Sequence, residues 1–326
     1  MKRKKLKISI AVVLIVLLVL SIPLYIAYNK LSKINTVDFN HTSKELGIDE
    51  KEFKNPKKSE DDFVNILILG VDKADPTDVG RSDCTMIATI DKKHNKIKLT
   101  SLMRDMIVDT TGHTVMEGLN QDRLNHMYAY GGPLLSVKTV NENFNMNIKN
   151  YIKTDFDGLA NIVDYVGGVQ IKVAEDEVPL INSYQYNISK LYNRKYTKLT
   201  HAGLQTLDGT QAVAYSRIRY VGNKDFERTE RQRTVLTEVF KKLSTLSITK
   251  LPSAADAILP SIETSLSKGD ILSLGSYIIT HNIKTVEQLR LPADGLNYSV
   301  TIRNTYFLGW KKDENLNLLH KFIYEN

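Results

Sequence analysis

The run Val64-Asn-Ile-Leu-Ile-Leu-Gly70 has the length and the apolar composition of a buried β-strand that ends at a glycine. Residues 85–90 and 97–102 are two further apolar runs, separated by the polar stretch 91–96, so we expect a β-hairpin there. Helix-length segments follow and alternate with a short strand at residues 169–173. These elements predict an α/β fold in which helices flank a central mixed β-sheet, an αβα sandwich.

Four segments have the composition of helices. Residues 133–144 and 156–166 are the first two, and the second ends at Gly167-Gly168. Residues 203–214 are a predicted helix that leads into a strand, and residues 228–246 form a long helix. The last 80 or so residues give weaker signals. With no repeat and no clear boundary, we expect one catalytic domain over residues 63–326.

The N-terminus predicts a membrane anchor. Basic residues dominate a short cytoplasmic tail, residues 1–7, and an uncharged apolar stretch follows at residues 8–28. This stretch exceeds the roughly 20 residues that a helix needs to cross a bilayer. A cleaved signal peptide usually has an apolar region of about 7–15 residues, so an uncleaved signal anchor is favoured. We expect a single-pass type II protein of the cell membrane, with an extracellular stalk at residues 29–62 and an extracellular catalytic domain.

The charge balance excludes one class of partner. The chain has 44 Lys and Arg against 37 Asp and Glu, a net charge of +7, and five of the basic residues lie in the tail. The remainder is nearly neutral, so no nucleic-acid partner is expected. Cys84 is the only cysteine, which rules out an internal disulfide. A large exported domain without disulfides is typical of a Gram-positive bacterial surface.

Residues 214–233 contain five arginines with spacings that predict an anion site. On a strand, Arg217 and Arg219 point to the same face. On the helix that follows, three polar side chains share one face: Arg228, Arg231 and Gln232. Converging guanidinium groups suit a phosphate or a pyrophosphate, because the planar fork donates paired hydrogen bonds and stays charged. A solvated helix face with intrahelical ion pairs is the alternative, but it does not explain two arginines alternating on a strand.

Two aspartates predict a metal site beside these arginines. Asp72 follows the first strand and Asp83 begins the hairpin, and the loop between them contains Gly80. Open α/β sheets commonly bind ligands at this edge. Two carboxylates near an arginine cluster suit Mg²⁺, or Mn²⁺ as second choice, bridging phosphate oxygens. Each aspartate taken alone could equally be a turn or capping residue. If both bind one ion, we expect Asp83→Ala to lower turnover far more than thermal stability.

Eight motifs between residues 65 and 243 resemble, in order, those of the LytR–CpsA–Psr family. They are Asn65-Ile-Leu-Ile-Leu-Gly-Val-Asp72, Arg81-Ser-Asp83, Ser101-Leu-Met-Arg-Asp105, Tyr130-Gly-Gly-Pro133, Val163-Asp-Tyr-Val-Gly-Gly-Val169, Leu207-Asp-Gly209, Tyr215-Ser-Arg-Ile-Arg219, and Asp225-Phe-Glu-Arg228 with Arg231-Gln232. The chain departs from the family pattern at Met103, where proline is usual, and at Glu227, where glycine is usual. Neither position carries a ligand-binding group.

The resemblance implies a membrane-anchored enzyme that moves a glycopolymer, such as teichoic acid or capsule, from a polyprenyl-pyrophosphate carrier in the membrane lipid onto peptidoglycan. It implies six pyrophosphate-binding residues: Arg81, Arg104, Arg217, Arg219, Arg228 and Gln232. It implies that Asp72 and Asp83 hold Mg²⁺ and that Asp225 orients the arginines. It also implies a cleft for the prenyl chain, with the apolar sides of residues 134–144 and 159–166 as candidates.

The implied reaction is a phosphotransfer that depends on Arg104, Arg217, Arg219 and Asp225. An acceptor hydroxyl, in the family the C6 hydroxyl of N-acetylmuramic acid, attacks the phosphorus attached to the glycopolymer, and polyprenyl phosphate leaves. Asp105 is our candidate base because it is neither a metal ligand nor an obvious ion-pair partner, although a structural cap is equally consistent.

Three alternatives to this reaction remain at the level of the sequence. A regulator that binds polyprenyl phosphate needs the same arginines, and so does a pyrophosphatase of the carrier. A transcriptional attenuator is disfavoured, because seven residues before the predicted span are too few for a DNA-binding module.

Overall fold

The computed structural model describes residues 35–55, 58–73, 78–110, 112, 120–219, 221, 225–247 and 250–325. The predicted cytoplasmic tail and membrane span, residues 1–28, lie outside these ranges. Within the ranges, no helix combines the length and the apolar composition needed to cross a bilayer. The membrane anchor therefore stays a prediction from the sequence.

The described part of the chain folds as a mixed α/β domain. Its strands are β1 (Asn35–Thr36), β2 (Phe63–Asp72), β3 (Arg81–Asp91), β4 (Lys96–Leu102), β5 (Ile107–Asp109), β6 (Gln121–Arg123), β7 (Asn150–Thr154), β8 (Val169–Val173), β9 (Gly203–Leu207), β10 (Glu263–Thr264), β11 (Val286–Leu291), β12 (Asn297–Ile302) and β13 (Thr305–Trp310). Its α-helices are α1 (His126–Phe144), α2 (Phe156–Tyr165), α3 (Glu177–Tyr192), α4 (Gly209–Ser216), α5 (Asp225–Ser244), α6 (Leu251–Ile258), α7 (Lys268–Thr280) and α8 (Lys312–Tyr324).

Seven strands form the central sheet, in the order β1-β10-β7-β2-β3-β4-β11. The pairs β1–β10, β2–β7 and β4–β11 are parallel, and the others are antiparallel. The predicted mixed sheet is therefore confirmed, as is the predicted hairpin, which is β3 and β4.

Strand β2 explains why helices cover both faces of this sheet. Leu67 and Leu69 pack on one face into a core that includes side chains of α1 and α8. Ile66 packs on the other face, with side chains of α5 and α7. Because successive side chains of a strand point to opposite faces, a central strand that is apolar on both sides needs a layer on each. This arrangement is the predicted αβα sandwich.

A β-bulge at the end of β2 redirects the side chain of Asp83. The register of β2 and β3 shifts between Gly70 and Val71, so that Gly70 pairs with Cys84, Val71 pairs with Ser82, and Asp83 has no partner. A Cβ atom on Gly70 would lie 2.8 Å from the Cβ of Cys84, so a larger residue would push the strands apart here. Bulges of this kind commonly re-aim a side chain beside a functional site.

A second core lies beside the sheet and is formed by α2, α3, α4, β8, β9 and part of α5. The prediction of one helix over residues 203–214 is wrong, because β9 pairs antiparallel with β8 and α4 begins only at Gly209. Asp208 caps α4 by accepting a hydrogen bond from the backbone N–H of Gln211. In the sequence, Asp208 is the helix-start signal that marks the boundary between β9 and α4.

The prediction that Arg217 and Arg219 lie on a strand is also wrong. Helix α4 continues to Ser216, and Arg217 is its C-cap, with its backbone N–H donating to the Ala214 carbonyl at 3.1 Å. Ile218 is fully buried, whereas the arginines on either side of it are only partly buried. The side chains of residues 217–219 therefore alternate between partly exposed and buried, as expected for a strand, although these residues do not form one.

The described part of the predicted stalk, residues 29–62, packs on the domain. Leu46 is only 2% exposed and belongs to the main core, and its carbonyl accepts a hydrogen bond from Asn141 Nδ2 at 2.8 Å. Strand β1 joins the central sheet through β10. The polar composition of this segment concealed the few apolar side chains that anchor it, so residues 35–62 belong to the folded domain where the structure describes them.

Two helices match their predictions closely, and a third begins earlier than predicted. Helices α2 and α5 correspond to the predicted helices 156–166 and 228–246. Helix α1 begins at His126 instead of residue 133 and contains non-helical backbone at Gly131 and Gly132. Gly132 has a φ of 60°, which glycine adopts readily, and the predicted helix starts just after this interruption.

Candidate active site

The carboxylate of Asp83 is surrounded by three arginines. Its Oδ2 lies 2.7 Å from Arg104 Nη1, 2.8 Å from Arg219 Nη2 and 3.4 Å from Arg228 Nη1. Its Oδ1 accepts a hydrogen bond from Asn125 Nδ2 at 3.1 Å. The Asp83 side chain is 13% exposed, so little water competes with these contacts. One carboxylate thus holds three guanidinium groups at one point of the fold.

These side chains come from four different elements. The β-bulge presents Asp83, and Arg104 follows the end of β4, which is adjacent to β3 in the sheet. Arg219 lies in the connection after α4, and Arg228 lies in the first turn of α5. β3 and β4 are consecutive in the sequence, as are α4 and α5, but the two pairs lie far apart along the chain.

Asp225 is the second acidic residue that orients the arginines. Its Oδ2 lies 3.0 Å from Arg228 Nη2 and 3.4 Å from Arg104 Nε. Among the described side chains, the Nε atoms of Arg104 and Arg228 are buried without a hydrogen-bond partner. A protein rarely tolerates such buried donors without a functional reason. The contacts agree with the role that the resemblance implies for Asp225.

The arginines keep the Asp83 carboxylate ionised. Burial alone would raise its pKa, but the guanidinium groups of Arg104 and Arg228 outweigh burial and hold the pKa of Asp83 below its usual value. Burial lowers the pKa of Arg228, which is only 2% exposed, against the opposing effect of Asp225. The site therefore has a high density of opposite charges in a poorly hydrated environment.

Asp72 lies near Asp83 and is less well neutralised. Its nearest cation is Arg217, whose Nη2 lies 3.5 Å from Asp72 Oδ2. Burial raises the pKa of Asp72 against the effect of Arg217, and the neighbouring Asp83 carboxylate adds to the rise. A cation between Asp72 and Asp83 would offset both the burial of the Asp72 carboxylate and its repulsion by Asp83, and so would lower the pKa of Asp72.

This pair fits the implied Mg²⁺. No group of three or more His, Cys, Asp or Glu side chains among the described residues could hold a metal by itself. Mg²⁺, however, commonly uses one or two protein carboxylates and completes its shell with water and substrate phosphates. The donor set of Asp72 and Asp83 is of that kind.

An apolar cavity begins beside the arginines. It is lined by Ile68, Phe156, Leu159 and Leu236, and Gln232 and three of the arginines lie along it. Leu159, from one of the two segments predicted for the prenyl cleft, lines this cavity, but residues 134–144 do not contribute to it. The reason is that their buried apolar side chains belong to the core on the face of Leu67 and Leu69, whereas the cavity is lined by Ile68 of the opposite face.

A polar cleft adjoins the apolar cavity and contains the remaining predicted site residue, Arg81. It is lined by Asp72, Asp78, Arg81, Asp83, Arg104, Phe156, Leu191, Arg217 and Arg219. The two cavities share Asp72, Asp83, Phe156, Arg217 and Arg219. Every predicted pyrophosphate-binding residue therefore lines one cavity or the other.

The prediction that Arg228, Arg231 and Gln232 lie together on the face of α5 at the site is only partly correct. Arg228 and Gln232 both line the apolar cavity. Arg231 instead binds Glu177 at 2.7 Å and Glu227 at 2.9 Å, and its side chain is buried away from the cavity. Glu177 belongs to α3, far away in the sequence, so no local pattern could reveal this ion pair. Arg233 also lies elsewhere and donates to Gln288 Oε1 at 3.1 Å.

Asp105 was our candidate base because it had no obvious ion-pair partner in the sequence, and that reason is wrong. Its Oδ1 lies 3.5 Å from Arg123 Nε, and its Oδ2 lies 3.5 Å from Arg104 Nε. Asp105 therefore has two ion-pair partners, one of which belongs to the site. In this structure its contacts position Arg104.

The structure adds three residues that the sequence did not identify. Asn125 holds Asp83, as described above, and nothing in its local sequence indicates a role. The Arg217 guanidinium lies 4.2 Å from the ring centroid of Phe156 and 5.9 Å from that of Tyr184. Stacking on an aromatic ring fixes the orientation of a guanidinium group while leaving its edge free to donate.

Comparison with known proteins agrees with this geometry. The sequence model of the LytR_cpsA_psr family matches residues 27–322. The chain belongs to this family. A relative from Oceanobacillus iheyensis, the polyisoprenyl-teichoic acid–peptidoglycan teichoic acid transferase TagU, is 31% identical over 286 residues, which cover 85% of this chain and 82% of the relative. The TagU of Bacillus cereus is also 31% identical, over 83% of this chain and 82% of its own.

Solved structures of the family have the same fold. TagT bound to LI-WTA is 25% identical, with a TM-score of 0.62, and the match covers 80% of this chain and 91% of TagT. The family protein YwtF (TagT) with bound octaprenyl pyrophosphate lipid is 25% identical, with a TM-score of 0.59, over 80% of this chain and 90% of its own.

Proposed function

We propose that this chain transfers an anionic cell-wall glycopolymer, of teichoic acid or capsule type, from a polyprenyl-pyrophosphate carrier to peptidoglycan and releases polyprenyl phosphate. The observation that supports this best is the convergence of five arginines on an apolar cavity and the polar cleft that adjoins it. A polyprenyl pyrophosphate has the same two parts, an apolar chain and a doubly charged anion. The names of the relatives agree with such a substrate.

The arginines would stabilise the charge that the reaction develops. The acceptor hydroxyl forms a bond to the phosphorus attached to the glycopolymer, and the bond from that phosphorus to the carrier's bridging oxygen breaks. Negative charge grows on the non-bridging oxygens and on the leaving phosphate. Arg217 and Arg219 face both cavities, and Asp83 and Asp225 hold the neighbouring Arg104 in place before substrate arrives. Losing one preorganised donor of this kind costs about 3–4 kcal/mol, or roughly a few hundredfold in rate.

Asp72 and Asp83 would hold Mg²⁺, and Mn²⁺ is the alternative ion. When bound, the ion neutralises charge on the phosphate oxygens. Asp105 is proposed as the group that accepts the proton of the acceptor hydroxyl. Its two arginine contacts are long, at 3.5 Å each, so its carboxylate oxygens keep room for a further hydrogen bond.

We place the protein in the cell membrane, as a single-pass type II protein with its catalytic domain outside a Gram-positive bacterium. The apolar stretch 8–28 after a basic tail supports this topology. The test is a fusion of the C-terminus to a reporter enzyme that is active only outside the cytoplasmic membrane. If the topology is correct, the fused reporter should be active.

Transfer can be tested with the purified full-length chain, a polyprenyl-pyrophosphate-linked teichoic acid precursor and peptidoglycan oligomers. We expect polyprenyl phosphate and a covalent glycopolymer–peptidoglycan product to form together, and only when the acceptor is present. Release of polyprenyl phosphate without an acceptor would instead establish a pyrophosphatase. Tight binding of the carrier without release would indicate a regulator.

A further inference from the structure

The chain enters the described part of the fold at the same end of the sheet as the candidate site. Asn35 pairs with Glu263, Glu263 pairs with Lys153, and Lys153 pairs with Leu69 near the carboxyl end of β2. From these pairings, β1 runs antiparallel to β2. Strand β1 therefore begins at the end of β2 where the site opens.

This entry point limits the distance between the site and the membrane. The predicted span ends at residue 28, and residues 29–34 connect it to β1. Six extended residues reach about 20 Å at most. The end of the sheet that carries Asp72 is therefore tethered close to the bilayer, whereas the β3–β4 turn lies at the opposite end.

An exposed group of apolar and basic side chains begins at this end with Leu191, which lines the polar cleft, and extends from there along α3 and the loop that follows it. One further residue comes from the loop before β3. We call this group the rim patch and define it as Val79, Tyr186, Lys190, Leu191, Lys195, Tyr196 and Lys198. Val79 is 61% exposed and Leu191 is 53% exposed, and exposed apolar side chains that group into a patch can mark a membrane-interaction site. Leu191 also lines the polar cleft together with Arg217, so the patch is continuous with the site.

The patch has the composition of a membrane interface. Lys190 Nζ lies 4.4 Å from the ring centroid of Tyr186, and the Tyr186 ring contacts that of Tyr196 at 6.1 Å. Tyrosines and lysines that present an apolar body and a polar end are enriched at the level of lipid headgroups.

The charge of the segment favours an anionic surface. Residues 178–207 contain no Asp or Glu. Arg194 is already bound to Asp157 and Asp164, at 2.6 Å each, but the three lysines of the rim patch are exposed. Exposed lysines close to a bilayer are attracted by anionic headgroups.

We propose that the rim patch is a membrane-contact surface that rests on anionic lipid headgroups and turns the opening of the site toward the bilayer. This inference rests on the proposed function, because a carrier whose prenyl chain lies in the membrane presents its pyrophosphate at headgroup level. A site held at that level takes the pyrophosphate without moving the whole prenyl chain through water.

Tryptophan fluorescence in vesicles tests the contact without any substrate. The chain has one tryptophan, Trp310, which is buried and provides a constant background. The full-length variant Tyr186→Trp is reconstituted in vesicles of phosphatidylglycerol and phosphatidylcholine that carry brominated acyl chains. We expect its added emission to shift to the blue and to be largely quenched. The control Lys93→Trp, in the exposed β3–β4 turn at the far end of the sheet, should show neither effect.

Equal, weak quenching of both variants would overturn the proposal. A blue shift of Tyr186→Trp that appears only after soluble teichoic acid is added would also overturn it, because the patch would then bind the polymer and not the membrane. Stronger quenching with phosphatidylglycerol than with phosphatidylcholine alone would support the role of the lysines.

A second measurement links the contact to turnover. The double variant Lys195→Glu/Lys198→Glu should transfer glycopolymer several-fold more slowly from a carrier embedded in anionic vesicles, but at the wild-type rate from a short-chain, water-soluble carrier. Equal rates in vesicles would overturn the proposal. If the wild-type chain transfers from neither carrier, the proposed function fails, while the fluorescence result still reports on the contact.

Discussion

Replacing Asp83 with alanine tests whether one carboxylate holds the arginine cluster together. From the sequence we expected this change to lower turnover far more than thermal stability. The structure reverses this expectation, since three guanidinium groups lie within 3.4 Å of Asp83 Oδ2. Removing one partner of a buried ion pair costs about 3–5 kcal/mol. We expect about 3 kcal/mol, the lower end, because Asp225 still neutralises Arg104 and Arg228.

Urea denaturation of the two full-length proteins gives this free-energy difference directly. A loss of about 3 kcal/mol also corresponds to a fall in melting temperature of roughly 6–12 °C for a domain of this size. The matched control is Asp72→Ala, which removes a carboxylate that has only one long contact and a pKa raised by burial. It should change stability by less than about 1 kcal/mol. Both variants should lose most transfer activity. If Asp83→Ala were as stable as Asp72→Ala, the arginines would not depend on Asp83 for their arrangement.

Three further predictions concern other residues. Arg217→Lys and Arg219→Lys should each lower transfer at least a hundredfold with little change in the circular dichroism spectrum, because lysine cannot donate paired hydrogen bonds. The control Arg233→Lys should retain near wild-type transfer. Equal activity of all three variants would refute the assignment of the site. Burial lowers the pKa of His320 below 6.5, so the unfolded chain binds its proton more readily; the free energy of unfolding should fall as the pH drops below 6.5, and His320→Gln should lose this part of the pH dependence. Burial raises the pKa of Cys84 to about 12, so iodoacetamide at pH 8.5 should label it only after denaturation, as mass spectrometry would detect.

The sequence by itself determined the family, the sheet and most of the residues around the site. Apolar runs such as residues 64–70 specify buried strands wherever they occur, because burying them dominates the folding free energy. The chemistry of the arginines is equally local, since a guanidinium group keeps its charge in almost any environment. For these reasons the sequence alone predicted the strand β2 and selected Arg217 and Arg219, which the structure places along both cavities.

The partners of the charged side chains were decided only by the tertiary structure. Arg228 and Arg231 are three residues apart on one helix, yet one lies beside Asp83 and the other pairs with Glu177 of α3. Nothing near them in the sequence distinguishes the two. The strength and the direction of an electrostatic interaction depend on distances of a few ångströms and on exclusion of water, and both are set when distant elements pack together. The sequence therefore identified groups whose chemistry suits a pyrophosphate, and the packing of α3, α4 and α5 around the bulge at the start of β3 decided which of them line the two cavities.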